Sequence, residues 1–190
     1  MKQTTAPTIL PLNAQAADAS NVTSILHGLD AILSDYEQLL SQLPLEAYCA
    51  ARVGQSSIGA HVRHVLEFMQ VLANHCDGGV IDYESRERNS IYETDPKAVA
   101  YVLPQLQETL ARALVKYGAH HPLLLRETAV VGGDKLTITT SLGREVLFML
   151  QHGTHHLAII TLQAAAMHIT LDGQCGVAVA TQTYRQKAHG

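Results

Sequence analysis

Four stretches of this chain carry apolar side chains at intervals of three and four, and that spacing leaves few folds open to it. Over residues 17–43, Val22, Leu26, Leu29, Leu33, Tyr36 and Leu40 share one side of a helix that turns once every ~3.6 residues, and Pro44 ends the pattern. A second stripe runs from a cap at Ser56 or Ser57 through His64, Val65, Phe68 and Leu72 to about Cys76, where Gly78-Gly79 stops it. The third starts at Thr94-Asp95-Pro96 and continues through Val99, Leu103, Leu106, Leu110 and Leu114 to Gly118 and Pro122; Pro104 inside it predicts a kink or a delayed start. The fourth runs from a cap at Ser141 to about His168, followed by an irregular tail marked by Gly173 and Gly176. Between the third and fourth, residues 123–139 read as two β-leaning runs around Gly132-Gly133-Asp134. These patterns predict an all-α fold, a four-helix bundle with a small β-hairpin insertion before the last helix. The bundle is expected over residues 17–183, with 1–16 a flexible N-terminal arm and 184–190 a C-terminal tail.

Composition narrows the function. With 13 basic and 17 acidic side chains, a net charge of −4 and no basic run, the chain offers nucleic acid no electrostatic footprint. No run of eighteen apolar residues occurs, so no membrane span is expected. Three scattered cysteines, Cys49, Cys76 and Cys175, make neither a disulfide framework nor a zinc knuckle and fit a reducing cytoplasm. The N-terminus has no continuous apolar core of the kind a secretory signal needs. The charge imbalance is local: residues 77–95 hold six acids and two arginines, and elsewhere acids and bases cancel, eleven against eleven. That long acidic connection, with Tyr83, Ile91 and Tyr92 to pin it, reads as a disordered loop or the cover of a site.

The chemistry concentrates in the last helix. His152 and His156 in QHGTHHLAII leave one helix face about one turn apart, a spacing that lets two imidazoles share one ion, whereas His155 points elsewhere. The second helix offers His61 and His64, of which His64 is more nearly in register with the apolar stripe. If His64 meets His152 and His156, three neutral imidazoles converge and leave a coordination position open, as in a catalytic rather than a structural site. Imidazole suits Zn, Ni, Fe(II), Cu and Co alike, so the donors do not name the ion. A di-iron carboxylate site and a zincin both fail on spacing: no Glu-x-x-His occurs, and Gly153 stands where His-Glu-x-x-His needs its glutamate.

Three segments, SSIGAHVRHVLEF (56–68), IDYESRERNSIYETD (81–95) and SLGREVLFMLQHGTHHLAII (141–160), resemble the signature regions of the DinB/YfiT-like superfamily over residues 20–183. The resemblance implies an up-down-down-up four-helix bundle holding a divalent metal through His64, His152 and His156, and, by analogy with some relatives, a low-molecular-weight thiol as cosubstrate. Around that triad, His61 and His155 are candidates to hold water, a carboxylate or substrate. Glu145, two turns before His152, is a candidate orienter or general base, with pairing to Arg144 as its plainer role. Glu67 is a candidate to accept a hydrogen bond behind His64, and Arg86 and Arg88 are candidates to hold an anionic cosubstrate, with local pairing to Glu84 and Glu87 the plainer alternative. The function expected is metal-dependent activation of a thiol or water for S-transfer or hydrolysis of a small-molecule substrate. The alternatives are a stress-related bundle that binds a metal or small molecule without catalysis, and a homodimerising bundle with a structural ion.

Overall fold

The computed structural model describes residues 12–51, 54–171 and 175–189, and it is mostly helical. Four long helices carry the four stripes: α1 (Leu12–Gln42), α3 (Ile58–His75), α5 (Pro96–Tyr117) and α6 (Leu142–Ala166), with the short α2 (Leu45–Cys49) between the first two. They pack as a ring of neighbours, α1 on α6, α6 on α3, α3 on α5 and α5 on α1. Leu29, Leu33, Leu66, Leu72, Leu110 and Leu157 fill the space between them and are all but inaccessible to solvent. Burial of such stripes is the main stabilising term here.

The helix starts follow the sequence closely. Ser57 Oγ accepts the Ala60 N–H at 3.0 Å, Ser141 Oγ accepts that of Arg144 at 3.3 Å, and Asp95 Oδ1 accepts that of Lys97 at 2.9 Å ahead of Pro96. Each cap satisfies an amide that the helix itself cannot, for about 1 kcal/mol. Pro104 neither delays nor ends α5, which runs through it.

Four features depart from the expectation. First, α1 begins at Leu12 rather than near residue 17, because the alanine-rich run before Asp18 favours helix; the rest of the predicted arm, residues 1–11, lies outside the described residues. Second, Pro44 is followed by α2, whose Tyr48 is fully buried. Third, the end of the chain forms α7 (Val179–His189), which begins within the region assigned to the bundle and runs through most of the predicted tail, 184–190.

The fourth concerns the acidic connection. It is threaded through β1 (Val80–Ile81), a 3-10 turn (Tyr83–Ser85) and α4 (Ile91–Thr94). The expected hairpin is present as β2 (Pro122–Thr128) and β3 (Lys135–Ser141), and β1 pairs with β2 in parallel, Val80 opposite Leu124 and Ile81 opposite Leu125, which gives a three-stranded sheet in the order β1-β2-β3. Tyr83 is 2% exposed and pins the connection as expected, whereas Ile91 is 47% exposed and does not.

At its far end the connection rests on α3 at Gly59, where an added Cβ would overlap the Glu93 carbonyl and the Tyr48 ring. Gly59→Ala is therefore expected to destabilise the fold by about 1–3 kcal/mol through overpacking. An unaltered urea midpoint would show that α4 does not sit this close to α3.

Candidate metal centre

His64 leaves α3 about two turns after its capped start, and His152 and His156 leave the facing side of α6 one turn apart. Packing of α3 on α6 brings them together: the ring centroids are 5.0 Å apart for His64–His152, 4.8 Å for His64–His156 and 4.6 Å for His152–His156. One nitrogen from each ring lies within 4.8 Å of the other two. Around an ion at ~2.0–2.1 Å from each nitrogen the separations would be about 3.3 Å, a difference of the size ring rotation closes. The donors also need a partner, because His152 Nε2 is buried with no hydrogen-bond partner, a state that costs about 1–3 kcal/mol. The residues present therefore fit a divalent ion.

Protonation supports the same use. Burial first, and then the neighbouring His152 and Arg86, push His64 down to about 4; burial and then His152 and His64 push His156 down to about 3. His152 is lowered too, by burial, His155 and Arg86. At neutral pH all three rings are thus uncharged and carry the lone pair an ion requires.

One side of the triad is walled by aromatic rings. Phe68 lies 4.6 Å from His64 and 4.8 Å from His152, and Phe148 lies 5.6 Å from His152. Tyr83, brought in by the acidic connection, stacks on Phe68 at 4.8 Å with the planes 9° apart. From α1, the Tyr36 hydroxyl donates to the Gly153 carbonyl at 3.0 Å, inside the histidine motif, and a Cβ on Gly153 would stand 3.2 Å from Ile32. Gly153 is thus a point where α1 packs against the turn that carries His152 and His156.

The remaining candidates divide. His61 belongs to the centre: its Nδ1 is 3.1 Å from Nδ1 of His156, so one of these nitrogens donates to the other. Where His156 Nδ1–H is the donor, the lone pair of that ring is on Nε2 and faces an ion. His155 is exposed and meets His156 only edge-on, at 5.5 Å between centroids.

Glu145 and Glu67 are not placed as general bases. Glu145 is wholly buried, its Oε2 accepting the Tyr83 hydroxyl at 2.9 Å and its Oε1 accepting Thr140 Oγ1 at 2.6 Å and Arg144 Nη1 at 2.7 Å. The expected pairing with Arg144 is real, and with Tyr83 and Thr140 it leaves the carboxylate fully engaged. Glu67 does not serve His64: its Oε1 accepts the Asn89 N–H at 2.7 Å, and Arg63 and Arg86 lie 3.7 and 3.5 Å from its oxygens. It fastens the acidic connection to α3.

Arg86 pairs with Glu67 rather than with Glu84 or Glu87, donates from Nη1 to the Tyr83 carbonyl at 2.9 Å and covers Phe68 at 5.1 Å; Glu84 instead meets Thr128 and Lys135. Arg88 is exposed. Cys76 and Cys175 carry thiols pushed up by burial, which makes them poor nucleophiles. Sequence reasoning passed over Phe148 and the Tyr36–Gly153 bond; a tyrosine inside a buried stripe was the signal, since its hydroxyl must find an acceptor.

A helical protein that gathers three uncharged imidazoles from two packed helices has the makings of a metal binder. The family comparison agrees: the model of the DinB superfamily matches residues 29–160, and the chain belongs to that superfamily, whose members often bind a metal. Among curated proteins and among solved structures none matches the chain.

The lowered imidazoles make the ion-free protein sensitive to acid. Because the folded values lie below the ordinary 6.5, the unfolded chain binds more protons as pH falls. The stabilisation is complete above about 6.5 and is lost progressively toward 4 and then 3. The melting temperature of chelated protein is expected to fall over this window, and a His64→Asn/His156→Asn variant is expected to flatten the fall. Parallel curves for both proteins would mean that these rings titrate normally.

Proposed function

We propose that this protein holds a divalent ion through His64, His152 and His156 and uses it to activate a thiol or a water for S-transfer or hydrolysis of a small-molecule substrate. The observation that carries the reading is the convergence of three uncharged rings around a buried, unpartnered His152 Nε2. Among the described residues no fourth histidine, cysteine, aspartate or glutamate joins the group, so the donors supply three positions of the four a tetrahedral ion takes. When bound, an ion such as Zn, Ni or Fe(II) supplies Lewis acidity that lowers the pKa of a water or thiol beside it toward neutrality.

The chain's own groups complete the site. His61 fixes the ring of His156 through Nδ1. Phe68 and Phe148 keep water from one side, and the positive charge of Arg86 helps keep His64 and His152 unprotonated. With Arg86 committed to Glu67, Arg88 is the more accessible guanidinium for an anionic group on a low-molecular-weight thiol. The ring of helix neighbours supports reading the fold as an up-down-down-up four-helix bundle. Among the described residues no helix is long and apolar enough to cross a membrane, which suits the cytoplasmic location read from the cysteines. Homodimerisation is compatible with this reading.

Metal analysis of protein purified without an immobilised-metal column tests it. Wild type is expected to retain stoichiometric ion and His64→Ala to lose it, with His155→Ala as the control that keeps it. His61→Asn is expected to weaken metal affinity about 10- to 100-fold while leaving the apo melting temperature nearly unchanged. Full ion content in His64→Ala would overturn the metal-centred reading. A panel of thiols with the loaded protein then separates catalysis from binding alone: turnover supports an enzyme, and saturable binding without turnover a binder.

A further inference from the structure

The hairpin ahead of α6 leaves one edge of the sheet open. In the order β1-β2-β3, β3 is an edge strand, and among the described residues no strand pairs with its far side. An open edge is a row of unpaired amides and carbonyls that invites another strand, and proteins ordinarily blunt it with a bulge, a proline or a charge. β3 lacks these defences. It pairs with β2 in unbroken register from Lys135 to Ser141 and contains no proline. Its one charge, Lys135, stands at the strand's start and is held by Asp82 and Glu84 at 2.6 and 3.3 Å.

Cross-strand neighbours share a face of a sheet. Ile138 lies opposite Leu125, which is buried, and Leu136 shares that face, yet Leu136 and Ile138 are 54% and 53% exposed. At this edge the inner face of the sheet runs on past its own core. Two further features flank the strand, one beyond each end. In the turn before it, Val130 and Val131 stand out into solvent, Val131 completely. At the Ser141 end, α1 and α6 leave a groove of about 400 Å³ lined by Ile25, Ala119, Gly143, Arg144 and Leu147.

We propose that β3 is the interface of a homodimer, in which two copies pair edge to edge, antiparallel about a two-fold axis at Ile138, into one continuous six-stranded sheet. That register sets Ile138 against its own copy, Leu136 against Thr140, Thr137 against Thr139 and Lys135 against Ser141, so along the strands no charge meets its like. It also carries the valine tip of each hairpin past Ser141 of the other copy, level with that copy's α1–α6 groove, and brings Asp134 to within two residues of its Arg144. The occupant is a second copy rather than a foreign strand because one surface holds both the projection and the groove that takes it, on opposite sides of the same strand. An antiparallel two-fold satisfies both at once, and such a contact closes at two. None of the three histidines lies on this surface, so the dimer stands apart from the metal-centred reading.

Sedimentation equilibrium of the full chain, both metal-loaded and chelated, tests this. Wild type is expected to dimerise in both states. Ile138→Lys, which sets two ammonium groups face to face at the axis, is expected to give monomer. Val131→Asp changes a side chain that the monomer leaves fully in solvent, so the fold is kept, and it is expected to weaken the dimer about tenfold. Val115→Asp, at an exposed position on α5, is expected to leave the dimer unchanged. In a Cys49→Ser background, Ile138→Cys is expected to cross-link to its own copy under mild oxidation. Monomeric wild type, a dimer untouched by Val131→Asp, equal weakening by Val115→Asp, or assembly beyond the dimer would each overturn the proposal.

Discussion

An imidazole that gives its lone pair to an ion cannot also carry a proton, and the architecture around His64, His152 and His156 keeps those rings uncharged. Burial does most of this, and the rings do the rest to one another, since each would repel a charge on its neighbour. Arg86 adds to the effect from the acidic connection. The same crowding leaves His152 Nε2 without a partner, so the arrangement carries a polar cost that an ion would remove.

The acidic connection is what turns two packed helices into a defined site. It is fastened to α3 through Asn89 on Glu67 and to α6 through Tyr83 on Glu145, and it is joined to the hairpin through β1. Two buried glutamates thus receive a segment that would otherwise be a loop over solvent. Their roles are structural, yet they decide where Tyr83, Phe68 and Arg86 stand relative to the histidines.

The helices were legible because burial along a helix writes itself into the spacing of leucines, and the caps because Ser57, Ser141 and Asp95 act on amides only two or three residues away. The triad was legible for the same reason: four-residue spacing places His152 and His156 together, and register with Val65 and Phe68 turns His64 inward. The two-residue β1 has no period to detect, and α2 is scarcely longer. The tasks of Glu67 and Glu145 were hidden because their partners lie tens of residues away along the chain, at Asn89 and Tyr83. A short-range reading offered both acids to the metal, with the pairing to Arg144 as the plainer role of Glu145; the folded chain keeps that pairing and uses both acids to hold a connection in place.

Gly153 stands between two donors in the most distinctive motif of the sequence, yet its neighbours are Ile32 and Tyr36. Its smallness lets α1 brace α6 at the turn from which both imidazoles spring. A side chain there would crowd Ile32 first, so a change in packing would be felt at the turn that carries both imidazoles. Within these five residues, the spacing between helices and the placing of two imidazoles are a single property, and selection acting on either one is felt by both.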